Sequence, residues 1–176
     1  MMTRTAVTSL VTITLVLLNV GVRANPAYLG LITAVRGQDY ETVEALLKTQ
    51  VDLNAAQPDG ATALHWAAYL NELRLAELLV NSGALVNMSN DYGVTPLALA
   101  CDNAANSMVA LLLDAGADPH IARNTGETPL MTCARTGAVD GVRALLANGA
   151  DLTATDPLSG QTALLWAIGE RHTEIV

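Results

Sequence analysis

The sequence contains no phenylalanine, and aromatic residues fill only 3% of its 176 positions. A core organised around large rings is therefore excluded. Hydrophobic residues still make up 51% of the chain, carried by alanine, leucine and valine, which suits many small helix contacts of one kind. Bases are scarce, nine against seventeen acids, for a net charge of −8. Nucleic acids and anionic membranes both need Lys or Arg to neutralise phosphate, so neither is expected as a partner. Low-complexity stretches, charge blocks and Pro/Ser linkers are absent, which leaves no sign of a second domain. Also missing are Gly-x-Ser-x-Gly, a phosphate loop, His-Glu-x-x-His and a dinucleotide fingerprint. No carboxylate pair stands out for acid–base work. The expectation is a protein that is not an enzyme and takes no cofactor.

The first 24 residues differ from the rest. They hold no acid, and Leu10 to Val22 carries no charge. Val22-Arg23-Ala24 then places a small residue at each position a signal peptidase reads. The pattern predicts a secretory signal over residues 1–24, cut after Ala24. Thirteen helical residues reach only ~20 Å, short of a bilayer core of ~30 Å. Removing this segment takes away Arg4 and Arg23 and leaves seven bases against seventeen acids, net −10. The expected destination is the periplasm or the exterior.

What is present is a phrase at a fixed interval. Thr62-Ala63-Leu64-His65-Trp66-Ala67-Ala68 returns as Thr95-Pro96-Leu97-Ala98-Leu99-Ala100-Cys101. It recurs as Thr128-Pro129-Leu130-Met131-Thr132-Cys133-Ala134 and as Thr162-Ala163-Leu164-Leu165-Trp166-Ala167-Ile168. The threonines lie 33, 33 and 34 residues apart. Each can cap a helix, and Pro96 and Pro129 stand where a missing N–H loses no bond. Leucine pairs at 46–47, 78–79, 112–113 and 145–146 mark a second helix, which Gly83, Gly116 and Gly149 end in the later copies. The extra residue falls in Asp156-Pro157-Leu158-Ser159, at a loop tip.

Period and phrase resemble the ankyrin repeat. The resemblance implies an all-α solenoid of helix-turn-helix units with short β-hairpin fingers. The units read as a divergent N-terminal capping repeat at 25–59, full repeats at 60–92, 93–125 and 126–159, and an incomplete one at 160–176. That incomplete unit suggests a fragment. A docking arm for an exported enzyme, with its catalytic domain beyond residue 176, is the alternative to a pure interaction module.

The same resemblance implies a monomer that binds a protein partner by its finger tips and the concave face of its first helices. Mapped onto this chain, those positions are Asp59, Tyr69, Leu70, Asp91, Tyr92, Asp102, Asn103, Asn124, Glu127 and Arg135. Tyr69 and Tyr92 are the expected anchors, within an acidic groove. His65, His120 and His172 fall in separate repeats, so no metal site is expected. Cys101 and Cys133 align with Ala68 and Ala67. Neighbouring helices sit ~8–10 Å apart, whereas a disulfide needs Cα atoms within about 7 Å, so free thiols are expected.

Overall fold

The computed structural model describes residues 26–176; the secretory signal expected over 1–24 lies outside them. The described residues form helix pairs. Repeat one supplies α1 (Pro26–Arg36) and α2 (Tyr40–Leu47). Then come α3 (Ala63–Tyr69) with α4 (Leu73–Asn81), α5 (Pro96–Asp102) with α6 (Asn106–Asp114), and α7 (Pro129–Thr136) with α8 (Val139–Ala147). The last element is α9 (Ala163–Gly169). Odd-numbered helices stack in one row and even-numbered helices in a second row behind it. The core runs along the seam between the rows, as a one-dimensional repeat stack requires.

The phrase builds the first row as expected. Thr95, Thr128 and Thr162 accept hydrogen bonds at their hydroxyls from the N–H of Ala98, Met131 and Leu165. Thr62 differs: its own N–H donates to Nδ1 of His65 at 3.1 Å. Leu64, Leu97 and Leu130 are each 1% exposed, whereas the equivalent Leu164 in α9 is 47% exposed. Ala67, Ala100 and Ala167 are wholly buried, which lets the helices approach closely.

Each first helix ends on a left-handed residue at the same repeat position: Gln38, Asn71, Ala104, Gly137 and Arg171. Ala104 has φ of 50°, a conformation that places its Cβ against a carbonyl oxygen. Ala104→Gly is expected to raise stability by about 1 kcal/mol, read as an upward shift of the denaturant midpoint. An unchanged or lower midpoint would contradict the strain.

Two expectations need correction. The fingers are tight turns, with no named strand among the described residues. Each closes on two backbone hydrogen bonds: the N–H of Gln57, Asn90, Arg123 and Asp156 donates to the carbonyls of Ala61, Val94, Glu127 and Gln161, and the N–H of Gly60, Gly93, Gly126 and Gly160 donates back to the carbonyls of Gln57, Asn90, Arg123 and Asp156. The only β pairing described is an isolated bridge between Thr155 and Thr162. Five or six residues per tip leave no length for a ladder. The last tip spans one residue more than the others, which locates the insertion there.

Cys101 and Cys133 are also not free. They form a disulfide, with Cα atoms 4.5 Å apart. The helix spacing of ~8–10 Å is measured between axes, and each Cα stands ~2.3 Å off its own axis. Residues that face one another across α5 and α7 are therefore far closer than the axes. The one-residue offset between the two cysteines places them opposite each other, and both are fully buried.

Candidate functional site

Successive finger tips are tied edge to edge. The N–H of Asp91 donates to the Asp59 carbonyl at 2.9 Å, and the N–H of Asn124 donates to the Tyr92 carbonyl at 3.1 Å. The tips and the outer faces of α3, α5 and α7 form one continuous face, and the mapped residues divide along it into two groups of different chemistry.

The first group is open. Tyr69 is 56% exposed and Tyr92 is 69% exposed. Asp59 and Asp91 are exposed, and neither has an ion-pair partner among the described residues. Asp59 Oδ1 accepts the Ala61 N–H at 3.1 Å, which orients the carboxylate. Leu70 is half-buried at the end of α3. Trp66 stands among these residues, half-buried against the core on one side and lining the recess on the other. Its indole Nε1 donates to Gln57 Oε1 at 2.9 Å. Its ring meets Tyr69 edge-on, with centroids 5.7 Å apart, and the Arg36 guanidinium lies 4.3 Å from its centroid. Between α3, α5 and the second finger these residues enclose a recess of about 220 Å³, lined by Asp59, Ala61, His65, Trp66, Tyr69, Asn90 and Leu99.

The second group is internally neutralised. Asp102 pairs with Arg123 and, at 3.3 Å, with Arg135. Arg135 also pairs with Glu127 at 3.4 Å. Glu127 in turn accepts from the Thr132 hydroxyl at 3.0 Å. The expected acidity therefore belongs to the Asp59–Asp91 end alone. Asn103 and Asn124 are exposed but already engaged. Asn103 Nδ2 donates to the Tyr69 carbonyl at 2.8 Å, and Asn124 Nδ2 donates to the Asp91 carbonyl at 2.9 Å. Both bonds join adjacent repeats.

The two tryptophans share a repeat position and differ in surroundings. Trp166 Nε1 is buried and has no hydrogen-bond partner among the described residues. The finger residue that corresponds to Gln57 is Asp156, whose carboxylate is filled by its own tip. It accepts from the N–H groups of Leu158, Ser159 and Gln161 and from the Ser159 hydroxyl. Those bonds, led by the Ser159 hydroxyl, hold its pKa down at about 2.

His65 forms the floor of the recess. Its Nε2 lies 3.0 Å from the Val94 carbonyl, which can only accept, so Nε2 carries the proton and Nδ1 accepts from Thr62. Burial lowers the ring's pKa, against the Val94 carbonyl and the Asp59 charge, which favour the cation. A lowered folded value means the unfolded chain binds the proton more readily. The stability that His65 contributes is complete above its unfolded pKa of about 6.5 and declines as pH falls below it. Between pH 7 and 5 the wild type should lose stability relative to His65→Ala, the residue that Ala98 supplies one repeat on. The slope of that difference cannot exceed about 1.4 kcal/mol per pH unit. Parallel urea-unfolding curves across this range would refute the assignment.

Among the described residues no group of three His, Cys, Asp or Glu side chains could hold a metal ion. None of the helices described is long and apolar enough to cross a membrane.

A continuous face of finger tips and first helices on a stack of helix pairs defines a repeat solenoid. The family model described as ankyrin repeats (3 copies) matches residues 31–123, 75–156 and 99–176, and the chain belongs to the ankyrin-repeat family. Curated relatives include neurogenic locus notch homolog protein 1 of Xenopus tropicalis, 41% identical over 70 residues, or 40% of this chain and 3% of that protein. Alpha-latrotoxin-Lg1a of Latrodectus geometricus is 36% identical over 79 residues, covering 43% and 6% of the two chains. Protein PhlB of Serratia liquefaciens is 44% identical over 68 residues, covering 38% and 30%. The chain thus spans well under half the length of each of these relatives. Ankyrin repeats are in general protein–protein interaction modules.

Proposed function

We propose that this chain is an exported, non-catalytic binding module. It receives a protein partner along the face formed by the finger tips and first helices, and Tyr69 and Tyr92 are its anchors. One observation carries the reading. In a chain with only six aromatic residues, two tyrosines stand exposed on the same face, Tyr69 on α3 and Tyr92 on the second finger, and Tyr69 borders the recess. Tyrosine brings contact area and a hydroxyl at low entropic cost, and the tips beneath it are already fixed by backbone bonds, so little ordering is needed on binding. Export is supported by the signal-like pattern at 1–24 and by a buried disulfide, a bond that persists in oxidising compartments.

The test is crosslinking from a photoreactive residue placed at Thr125, exposed on the next finger tip, followed by identification of the captured protein. Tyr69→Ala with Tyr92→Ala should abolish capture, while Glu77→Gln, on α4 in the second row, should leave it intact. Capture that survives the double tyrosine variant would assign the chain to passive scaffolding.

A further inference from the structure

The recess beside Trp66 has a composition that selects its occupant. Its lining holds one carboxylate, Asp59, and no Lys or Arg; the one imidazole, His65, is held toward its neutral form by burial. The next acid, Asp91, is joined to it by the bond between the two finger backbones. The paired arginines of the groove stay with Asp102 and Glu127, and among the described residues no Lys or Arg forms an ion pair with Asp59 or Asp91. The walls are aromatic, Trp66 and Tyr69 meeting edge to face, and Leu99 closes the apolar side. An aromatic corner next to an unpaired carboxylate attracts a flat cation by two terms at once, the ring quadrupoles and the charge. This chain already places one guanidinium on the Trp66 ring, that of Arg36 at 4.3 Å, yet Arg36 is not part of the recess lining. The ring thus demonstrably accepts a guanidinium, and the cavity on its Tyr69 side has none.

We propose that the recess is the specificity site of the groove and takes an arginine side chain from a basic segment of the partner. The guanidinium stacks against Trp66 and Tyr69 and pairs with Asp59. Asp91 steers the segment from the next finger. The proposal rests on the groove reading above and narrows it to a partner of opposite charge, which the net −10 of residues 26–176 also favours through long-range attraction.

The test is an NMR titration of the purified ¹⁵N-labelled chain with the synthetic peptide acetyl-(Gly-Ser-Arg)₄-amide, against the same peptide with citrulline at each arginine. Citrulline keeps the planar shape and removes the charge. The Trp66 indole N–H and the backbone amides of Tyr69 and Asn90 should shift with the arginine peptide, while the Trp166 indole serves as an internal control and stays put. The citrulline peptide should bind at least tenfold more weakly. Asp59→Asn should weaken the arginine peptide at least fivefold, because asparagine retains the oxygen that accepts from Ala61 and loses only the charge. Equal binding of the two peptides would overturn the proposal, as would an Asp59→Asn chain that binds normally or shifts centred on Arg135 and Trp166. If partner capture still depends on Tyr69 and Tyr92 while Asp59→Asn has no effect, the arginine site falls and the groove stands. If capture is indifferent to the tyrosines, the groove falls as well.

Discussion

Replacing Cys101 and Cys133 together by alanine is expected to lower the unfolding free energy by about 4 kcal/mol. The bond closes a loop of 32 residues, and releasing a loop of that size returns roughly this much conformational freedom to the unfolded chain. Alanine is the suitable replacement, because Ala67 and Ala68 occupy the equivalent positions of repeat two and are fully buried there. A reductant is the poorer probe, since both sulfurs are shielded and the stack must open first. In a repeat stack, stability is a sum of nearest-neighbour terms, so the loss should fall on the α5–α7 contact and the helices beyond it. Urea unfolding followed by circular dichroism should show either an earlier single transition or a separate early step for the C-terminal repeats. A variant within about 1 kcal/mol of the wild type would mean that the bond adds little to packing already complete without it.

Gly93→Ala is expected to destabilise the binding face by roughly 3 kcal/mol. Gly93 has φ of 73°, which by itself makes a side chain cost ~1–2 kcal/mol. A Cβ there would also stand 2.7 Å from the backbone nitrogen of Asn124 and 2.6 Å from its Oδ1. The next finger would have to withdraw, which stretches the bonds from Asn124 to the Tyr92 and Asp91 carbonyls. Gly83→Ala is the natural control: its φ is 96°, but nothing lies within 4 Å of the added atom. Thermal melts of the two variants separate the conformational penalty from the collision between fingers. Equal losses would show that the fingers give way freely, and the pre-set face argued above would lose its support.

Most of the scaffold is legible in the sequence, because each part of it is local and repeated. Three of the four threonine caps, the buried leucines of α3, α5 and α7 and the glycines that end the second helices follow from spacing alone. Even the divergent first repeat obeys the register. Its left-handed residue is Gln38, aligned with Asn71, rather than the neighbouring Gly37. The disulfide was not legible through an average helix spacing, because small side chains bring facing backbones much nearer than their axes. Nor could a count of acids reveal that Asp102 and Glu127 are neutralised, since Arg123 and Arg135 reach them from elsewhere on the stack. Trp66 and Trp166 share a phrase position and diverge only because one finger carries glutamine and the other an aspartate tied up by Ser159. Such pairings depend on which side chains meet across repeats, and a repeat pattern records only where they start.

The bond between α5 and α7 also sets how this chain behaves as a tether. A plain stack pulled from its two ends lengthens one repeat at a time, paying out contour as each pair of helices gives way. Here the segment from Cys101 to Cys133 cannot pay out. At ~3.4 Å per extended residue, about 110 Å of chain is withheld from any load. The half of the face that carries Tyr69 and the recess lies outside that link, so under the same load it can lengthen while the segment from Cys101 to Cys133 stays closed.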